Sequence, residues 1–286
     1  MRIPIVHKLL ILASLSLASQ ITMADEVSTY LDSGAPGLPM AQEDPNVFRV
    51  CAPKDNLPFS NEQGEGFENK IAEVLAKDLG KKLEYFFFYD RQGFYRNTLK
   101  ANRCDYVIGN ATSADITLNS KPYYRSGYVF VYKKSSGYNI KDYDSPDLKR
   151  AMIGVVGESP PSRPLSDKGL MEHSRPYRIQ RDLNLPPSFM IDDLIKGDID
   201  VAIVWGPIGG YFAKKSGVDL VVVPAPEYAQ ENIHGKEYWN ISVGVRRKEK
   251  DRIAAINGAL ERRKDDIIKI LDDYGIPHVP IVDEKM

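Results

Sequence analysis

The chain has 286 residues with a formal net charge of −1, 43% hydrophobic and 27% charged side chains, two cysteines and four histidines. The near-neutral balance argues against a nucleic-acid partner, because phosphate binding draws on a strongly basic surface. The length suits one large or two modest domains, each with its own core.

The N-terminus reads as an export signal over residues 1–24. Arg2 and Lys8 give a positive start, Leu9 to Ala18 an apolar run, and Thr22-Met23-Ala24 a small-x-small cleavage site before Asp25. A second cut site follows Ala18, and an N-terminal core helix is the alternative reading. The run is too short for a bilayer helix, and no other stretch comes near the roughly 18 apolar residues required, so no membrane span is expected in the mature chain. Cleavage leaves 262 residues with net charge −3. Export would place Cys51 and Cys104 in an oxidising compartment where a disulfide persists. A structural Cys51–Cys104 bridge is the preferred reading, with two buried thiols as the alternative. His173, His234 and His278 lie far from one another and from the cysteines, so no metal site is expected.

Residues 25–46 are rich in Pro, Gly, Ser and acids and are expected to form an extended arm. Val47 to Ala52 reads as a strand ended by Pro53. A helix is predicted over Gly66–Leu79, with Phe67, Ile71, Val74, Leu75 and Leu79 on one face and Gly80 as its stop. Leu83 to Tyr89 reads as a strand in which Tyr85 to Tyr89 are all aromatic. Rings on both faces suit a sheet covered on both sides, and that core reading is preferred over a stacking platform. A short helix over Phe94–Ala101 leads to a strand over Cys104–Gly109, and the β-α-β-α-β alternation predicts a parallel sheet with right-handed crossovers.

Tyr128 to Tyr132 forms the next predicted strand, and the polar stretch Lys133–Asn139 marks a lobe boundary. A second α/β pattern opens at the strand Ala151–Val156, followed by a Gly/Pro/Ser turn over Gly157–Pro164. Ser188–Lys196 reads as a helix capped by Ser188 and stopped by Gly197. Ile199–Val204 is a buried strand, Pro207 opens a helix ending at Gly217, and Leu220–Val223 is a further strand. Ile241–Val245 returns as a strand. The tail is helical from Lys248 to Tyr274, with Ile253, Ile256, Leu260, Ile267, Ile268 and Leu271 as its apolar stripe.

The simplest topology is an α/β fold of two lobes with the second inserted in the first. Lobe 1 takes residues 47–130 and 241–286, and lobe 2 takes 131–240. Two strands, near Tyr128–Lys133 and Asn240–Arg246, would cross between them as a hinge. Ligands of open α/β sheets bind beyond the carboxyl ends of strands, which here would face a closing cleft. The candidate cleft residues are therefore Asn56, Phe59, Asn110, Thr112, Tyr123, Tyr124, Gly157, Glu158, Ser159 and Trp205. Each also has a plain structural reading: Asn56 and Asn110 as turn caps, Trp205 as a plug between lobes. No Gly-x-Ser-x-Gly, Gly-x-Gly-x-x-Gly or Walker loop is present, so no catalytic residue and no cofactor is expected.

Three segments resemble, in order over residues 47–275, the amino-acid-type (family 3) periplasmic solute-binding proteins. They are Gly66-Phe67-Glu68-Asn69-Lys70-Ile71-Ala72 with Leu79-Gly80, Lys121-Pro122-Tyr123-Tyr124 before a strand, and Asp198 to Ile203 before a helix holding Tyr211 and Ala213. That resemblance implies the type 2 periplasmic binding protein fold and a periplasmic location. The runs Val50-Cys51-Ala52 with Asn56 to Asn61, Arg91 to Leu99, Arg103-Cys104-Asp105, Pro122 to Ser126 and Val204-Trp205-Gly206-Pro207 resemble the narrower MoxJ/XoxJ group, encoded with pyrroloquinoline-quinone methanol dehydrogenases. It implies a non-enzymatic accessory protein of methanol oxidation whose partner is the quinoprotein methanol dehydrogenase. The fold alone implies the alternative, a solute-binding subunit of an ABC importer with a small-molecule ligand. Two departures weaken amino-acid binding. Ala111 to Ile116 holds no Arg to clamp a carboxylate. Gly157-Glu158-Ser159-Pro160 replaces the usual anion turn with an acid and an N–H-free proline. A third reading has Trp205, Tyr123 and Phe59 sandwiching the quinone.

Overall fold

A computed structural model describes residues 44–90, 92–112, 114–178, 185–228 and 237–283. The expected export signal, and the expected arm up to residue 43, lie outside them. In chain order the elements are β1 Val47–Pro53, β2 Asp55–Asn56, β3 Ser60–Asn61, α1 Phe67–Asp78, β4 Lys82–Phe88, α2 Phe94–Asn97, β5 Val107–Ala111, β6 Leu118–Asn119 and β7 Tyr124–Lys133. Then come β8 Ile153–Val156, α3 Ser162–Asp167, β9 Ser174–Tyr177, α4 Phe189–Lys196, β10 Val201–Trp205, α5 Gly206–Lys215, β11 Leu220–Pro224, β12 Tyr238–Val245, α6 Lys250–Arg262 and α7 Lys264–Tyr274.

Apolar periodicity builds lobe 1. Helix α1 buries Phe67, Ile71, Ala72, Leu75 and Ala76. Each large side chain so buried contributes about 1.5–3 kcal/mol against leaving it in water. These residues pack on Phe48, Val50, Tyr106, Ile108 and Val243 of the sheet and on Ile256, Ile267 and Leu271 of α6 and α7. The start of α1 is fixed by polar contacts: the Asn69 side chain accepts from the Gly66 N–H at 3.0 Å and from the Asn61 N–H at 3.2 Å. Gly66 is required there, because a Cβ would sit 2.0 Å from the Phe59 carbonyl oxygen.

Strand β1 pairs in parallel with β4, and Val50 bridges to Tyr106 just ahead of β5. β5 then pairs antiparallel with β12. Strand β7 serves both lobes. Its first half, Tyr124–Gly127, pairs with β12, while its second half pairs with β10 and β11. β10, β8 and β9 continue lobe 2 in parallel. The hydrogen-bonded order β5-β12-β7-β10-β8-β9 thus runs unbroken through β7, yet its halves enclose different cores. Along β7 and β10, alternate residues face opposite sides. Phe130, Val201 and Ile203 join Ile153 and Leu165 on one side, and Val129, Val131, Ala202 and Val204 join Met190 and Leu194 on the other. Both faces are covered, which explains why these strands read as continuous apolar runs.

Cys51 and Cys104 form a disulfide with Cα atoms 5.2 Å apart, packed among Phe94, Leu99 and Val107. Two departures from the predicted elements adjoin it. Helix α2 ends after one turn so that Cys104 reaches Cys51. The following strand starts at Val107, after Asp105 and Tyr106 have both donated to the Arg49 carbonyl of β1, at 2.8 and 3.1 Å. The Arg246 guanidinium donates to the Cys104 carbonyl at 2.6 Å and pairs with Asp105, which Arg252 approaches to 3.6 Å and Arg49 to 3.8 Å. On β4, Tyr85 and Phe87 pack toward the α1 core and Phe86 and Phe88 toward the disulfide, so the aromatic run is core on both faces, though only half-buried.

The helical tail is two helices, broken at Arg263 (φ −110°). The break lets Arg262 and Arg263 both reach Asp78 on α1, at 2.6 and 2.7 Å. After β8 the chain turns only as far as Pro161, whose φ of −63° presets the helical start of α3 at Ser162. Among the described residues no helix is long and apolar enough to cross a membrane.

Candidate functional site

The carboxyl ends of β1, β5 and β10 converge with the two hinge strands on a cavity of about 430 Å³. This is a size typical of small-molecule sites. One wall is aromatic. Trp205 ends β10 directly opposite Tyr128 of β7, and their rings meet edge-on at 5.7 Å. Trp239, from β12, sits 5.3 Å from Trp205 and 6.3 Å from Tyr128. Gly206 lets this wall close on the hinge, since a Cβ would lie 2.5 Å from the Gly127 carbonyl oxygen.

The lobe 1 wall carries Phe59, Phe94, Tyr95, Tyr124 and two carboxylates, Glu68 and Asp90. Glu68 projects from the first turn of α1 beneath Gly109, where a Cβ would lie 1.7 Å from its Oε1. No described residue donates a hydrogen bond to the Glu68 carboxylate. Burial, and then the negative charge of Asp90, push its pKa up from 4.5 to about 8. Asp90 accepts a hydrogen bond from Asn56 Nδ2 at 2.6 Å. Among the described residues lining the cavity there is no Lys, Arg or His.

Of the residues expected at the cleft, Asn56, Phe59, Tyr124 and Trp205 line this cavity together. Tyr123 does not: it is buried in lobe 1, where its hydroxyl donates to the Ile108 carbonyl at 3.1 Å. Trp205, Tyr123 and Phe59 therefore form no sandwich for a planar ring. Asn110 is fully buried. Its Nδ2 donates to Thr117 Oγ1 and Asn119 Oδ1, and its Oδ1 accepts from the Tyr95 hydroxyl at 2.6 Å. It reaches the cavity only through the ring it holds. Thr112 donates to the Asn240 carbonyl at 2.9 Å, tying β5 to the hinge.

Gly157, Glu158 and Ser159 form the turn after β8, outside this lining. The Gly157 N–H is spent on the Tyr177 carbonyl at 2.7 Å, and the Ser159 N–H and hydroxyl both go to the Val156 carbonyl, at 3.2 and 2.6 Å. Glu158 has φ +61°, a left-handed backbone that few residues other than glycine adopt. With Pro160 and Pro161 beside it, the turn has few donors left for an anion.

Sequence reasoning missed Glu68, Asp90, Tyr95, Tyr128 and Trp239. Trp239 had a signal, being one of only two tryptophans in the chain and sitting at the start of the return crossing. Glu68 had none, because its meaning comes from Gly109, 41 positions later. Among the described residues no group of three or more His, Cys, Asp or Glu side chains could hold a metal ion.

This architecture, two α/β lobes joined by shared strands around a cleft, is that of a binding protein. Residues 48–275 match the bacterial extracellular solute-binding proteins, family 3, and the chain belongs to that family. Within it the similarity is of the MoxJ/XoxJ type. The chain is 32% identical over 255 residues to the protein MoxJ of Methylorubrum extorquens, covering 84% of each. Among solved structures, the periplasmic binding protein XoxJ from Methylobacterium extorquens is 38% identical, with a TM-score of 0.69 over 82% of this chain and all of that one. MxaJ from Methlophaga aminisulfidivorans is 29% identical, with a TM-score of 0.72 over 81% of this chain and all of that one.

Proposed function

We propose that the protein is a non-enzymatic periplasmic accessory of the methanol oxidation system, which binds the quinoprotein methanol dehydrogenase and stabilises it or helps it mature. One observation carries the reading. The chain keeps the family's two-lobed frame and resembles MoxJ along most of its length, yet its cleft has lost the groups that clamp an amino acid. No guanidinium stands after β5, the lobe 2 turn has spent its donors internally, and two carboxyl groups, Glu68 and Asp90, line the cleft. The signal read over residues 1–24 supports export. The test is a pull-down from periplasmic extract with the mature chain as bait. Recovery of the dehydrogenase at low salt is expected, and its absence under those conditions contradicts the reading.

The open cavity favours a second reading, a solute-binding subunit of an importer. Thermal-shift screening separates the two: an amino acid that raises the melting temperature by several degrees at micromolar concentration supports the importer.

A further inference from the structure

We infer that the cleft receives a small organic cation without a carboxylate, an alkylammonium or a protonated amine, with its charge on Glu68 and its alkyl part against Trp205, Trp239 and Tyr128. The inference stands on the cleft alone and holds whether or not the dehydrogenase is the partner.

Four observations meet in one cavity. First, the partly buried Glu68 carboxylate lines it with no described donor, so its oxygens are open to whatever enters the cavity. Second, a second carboxylate, Asp90, lines the same cavity, where it accepts from Asn56, and there is no basic side chain among the described lining residues. Third, three electron-rich rings, two of them indoles, line the same cavity and stand together at 5.3–6.3 Å. Indole faces are the best aromatic partners for ammonium groups, and a desolvated contact strengthens the attraction. Fourth, the room for Glu68 exists only because residue 109 is glycine. A carboxylate-bearing ligand finds no basic side chain among the described lining residues to pair with.

The groups facing Glu68 add no positive charge. They are Asp90 after β4, Tyr95 on α2, and Tyr123 and Tyr124 at the start of β7, all acidic or neutral at physiological pH. In the empty cleft burial and Asp90 keep Glu68 protonated at pH 7, its pKa being about 8. A cation beside it favours the ionised form. Uptake of R–NH₃⁺ at neutral pH therefore releases the Glu68 proton to solvent, leaving a carboxylate–ammonium pair, and affinity rises as the pH is raised toward that pKa.

The test is calorimetric titration of the mature chain with butylammonium and tetramethylammonium, against butyrate and 1-butanol as same-sized controls. Runs in two buffers of different ionisation enthalpy count the released proton. Both cations are expected to bind, both controls to fail, and Glu68→Gln to weaken the cations at least about tenfold, with proton release lost. Trp239→Leu is the second variant, expected to weaken tetramethylammonium while keeping proton release with butylammonium. Melting curves confirm that each variant is folded. Butyrate binding as well as butylammonium overturns the inference, as does a folded Glu68→Gln protein with unchanged cation affinity, or absence of binding by both cations. A failed dehydrogenase pull-down leaves this result untouched.

Discussion

The two lobes face each other on both sides of the hinge strands, and the two sides are made of opposite material. At the back, α5 of lobe 2 lies on the end of α7 of lobe 1. Gly210 approaches so closely that a Cβ would stand 2.1 Å from the Gly275 carbonyl oxygen. Tyr211 stacks on Tyr274 at 5.9 Å, and Lys214 donates to the Asp272 and Asp273 carbonyls at 3.0 and 2.9 Å, where a cation favours a helix C-terminus. Ser126 of β7 donates to the Pro277 carbonyl at 2.6 Å. At the front, Glu68 faces a cavity of about 430 Å³ with no described donor. A polar group that ends in a partner is holding the fold; one that ends in an open space is held by the fold for something else.

Substitutions on the two sides should differ in size and sign. The largest effect is expected at the disulfide behind the front wall. The Cys51→Ala/Cys104→Ala variant should lose roughly 4 kcal/mol by the chain-entropy argument for a loop of this length, measured by urea unfolding. A mass difference of about 2 Da with and without reductant checks the bond itself. Next is Gly210→Ala, which forces two backbones apart and is expected to cost about 1–3 kcal/mol. A neutral result would mean the back is not a tight clamp.

Glu68→Gln should act with the opposite sign. The native cleft raises the Glu68 pKa, so the folded state holds a proton between about pH 4.5 and 8 that the unfolded chain releases. Wild-type stability therefore falls as pH rises through that window, and the Gln variant removes the fall. At pH 8 the variant is expected to be more stable than wild type by about 1–2 kcal/mol, after allowance for water reaching the cleft. The smallest effect is Lys214→Met, which removes the cation at the end of α7 and should cost about 0.3–1 kcal/mol, read as a small drop in melting temperature.

The fold was legible because its signals are local. The apolar face of α1, the runs of β7 and β10 and the cap glycines each lie within one segment. The tail was less so. Its apolar stripe continues from Leu260 to Ile267, and nothing in that spacing shows the break at Arg263, which exists to serve Asp78 nearly two hundred positions earlier. The cleft was half legible. Strand ends pointed to Asn56, Phe59 and Trp205, since residues past a strand's carboxyl end face the cleft, and the approach to the first crossing pointed to Tyr124. Tyr123, beside that crossing, and Asn110, past a strand end, turn inward instead, because one side chain caps the Ile108 carbonyl and the other orients Tyr95. Glu68 sits on a helix and escaped the rule altogether.

The most direct measurement is the titration of the Glu68 side-chain carboxyl by carbon-13 NMR, in the free protein and in protein saturated with butylammonium. A free pKa near 8 that falls toward the ordinary 4.5 on saturation is the expected result. A free value already near 4.5, unchanged by the amine, would contradict the idea that this cleft holds a carboxylate in waiting for a cation.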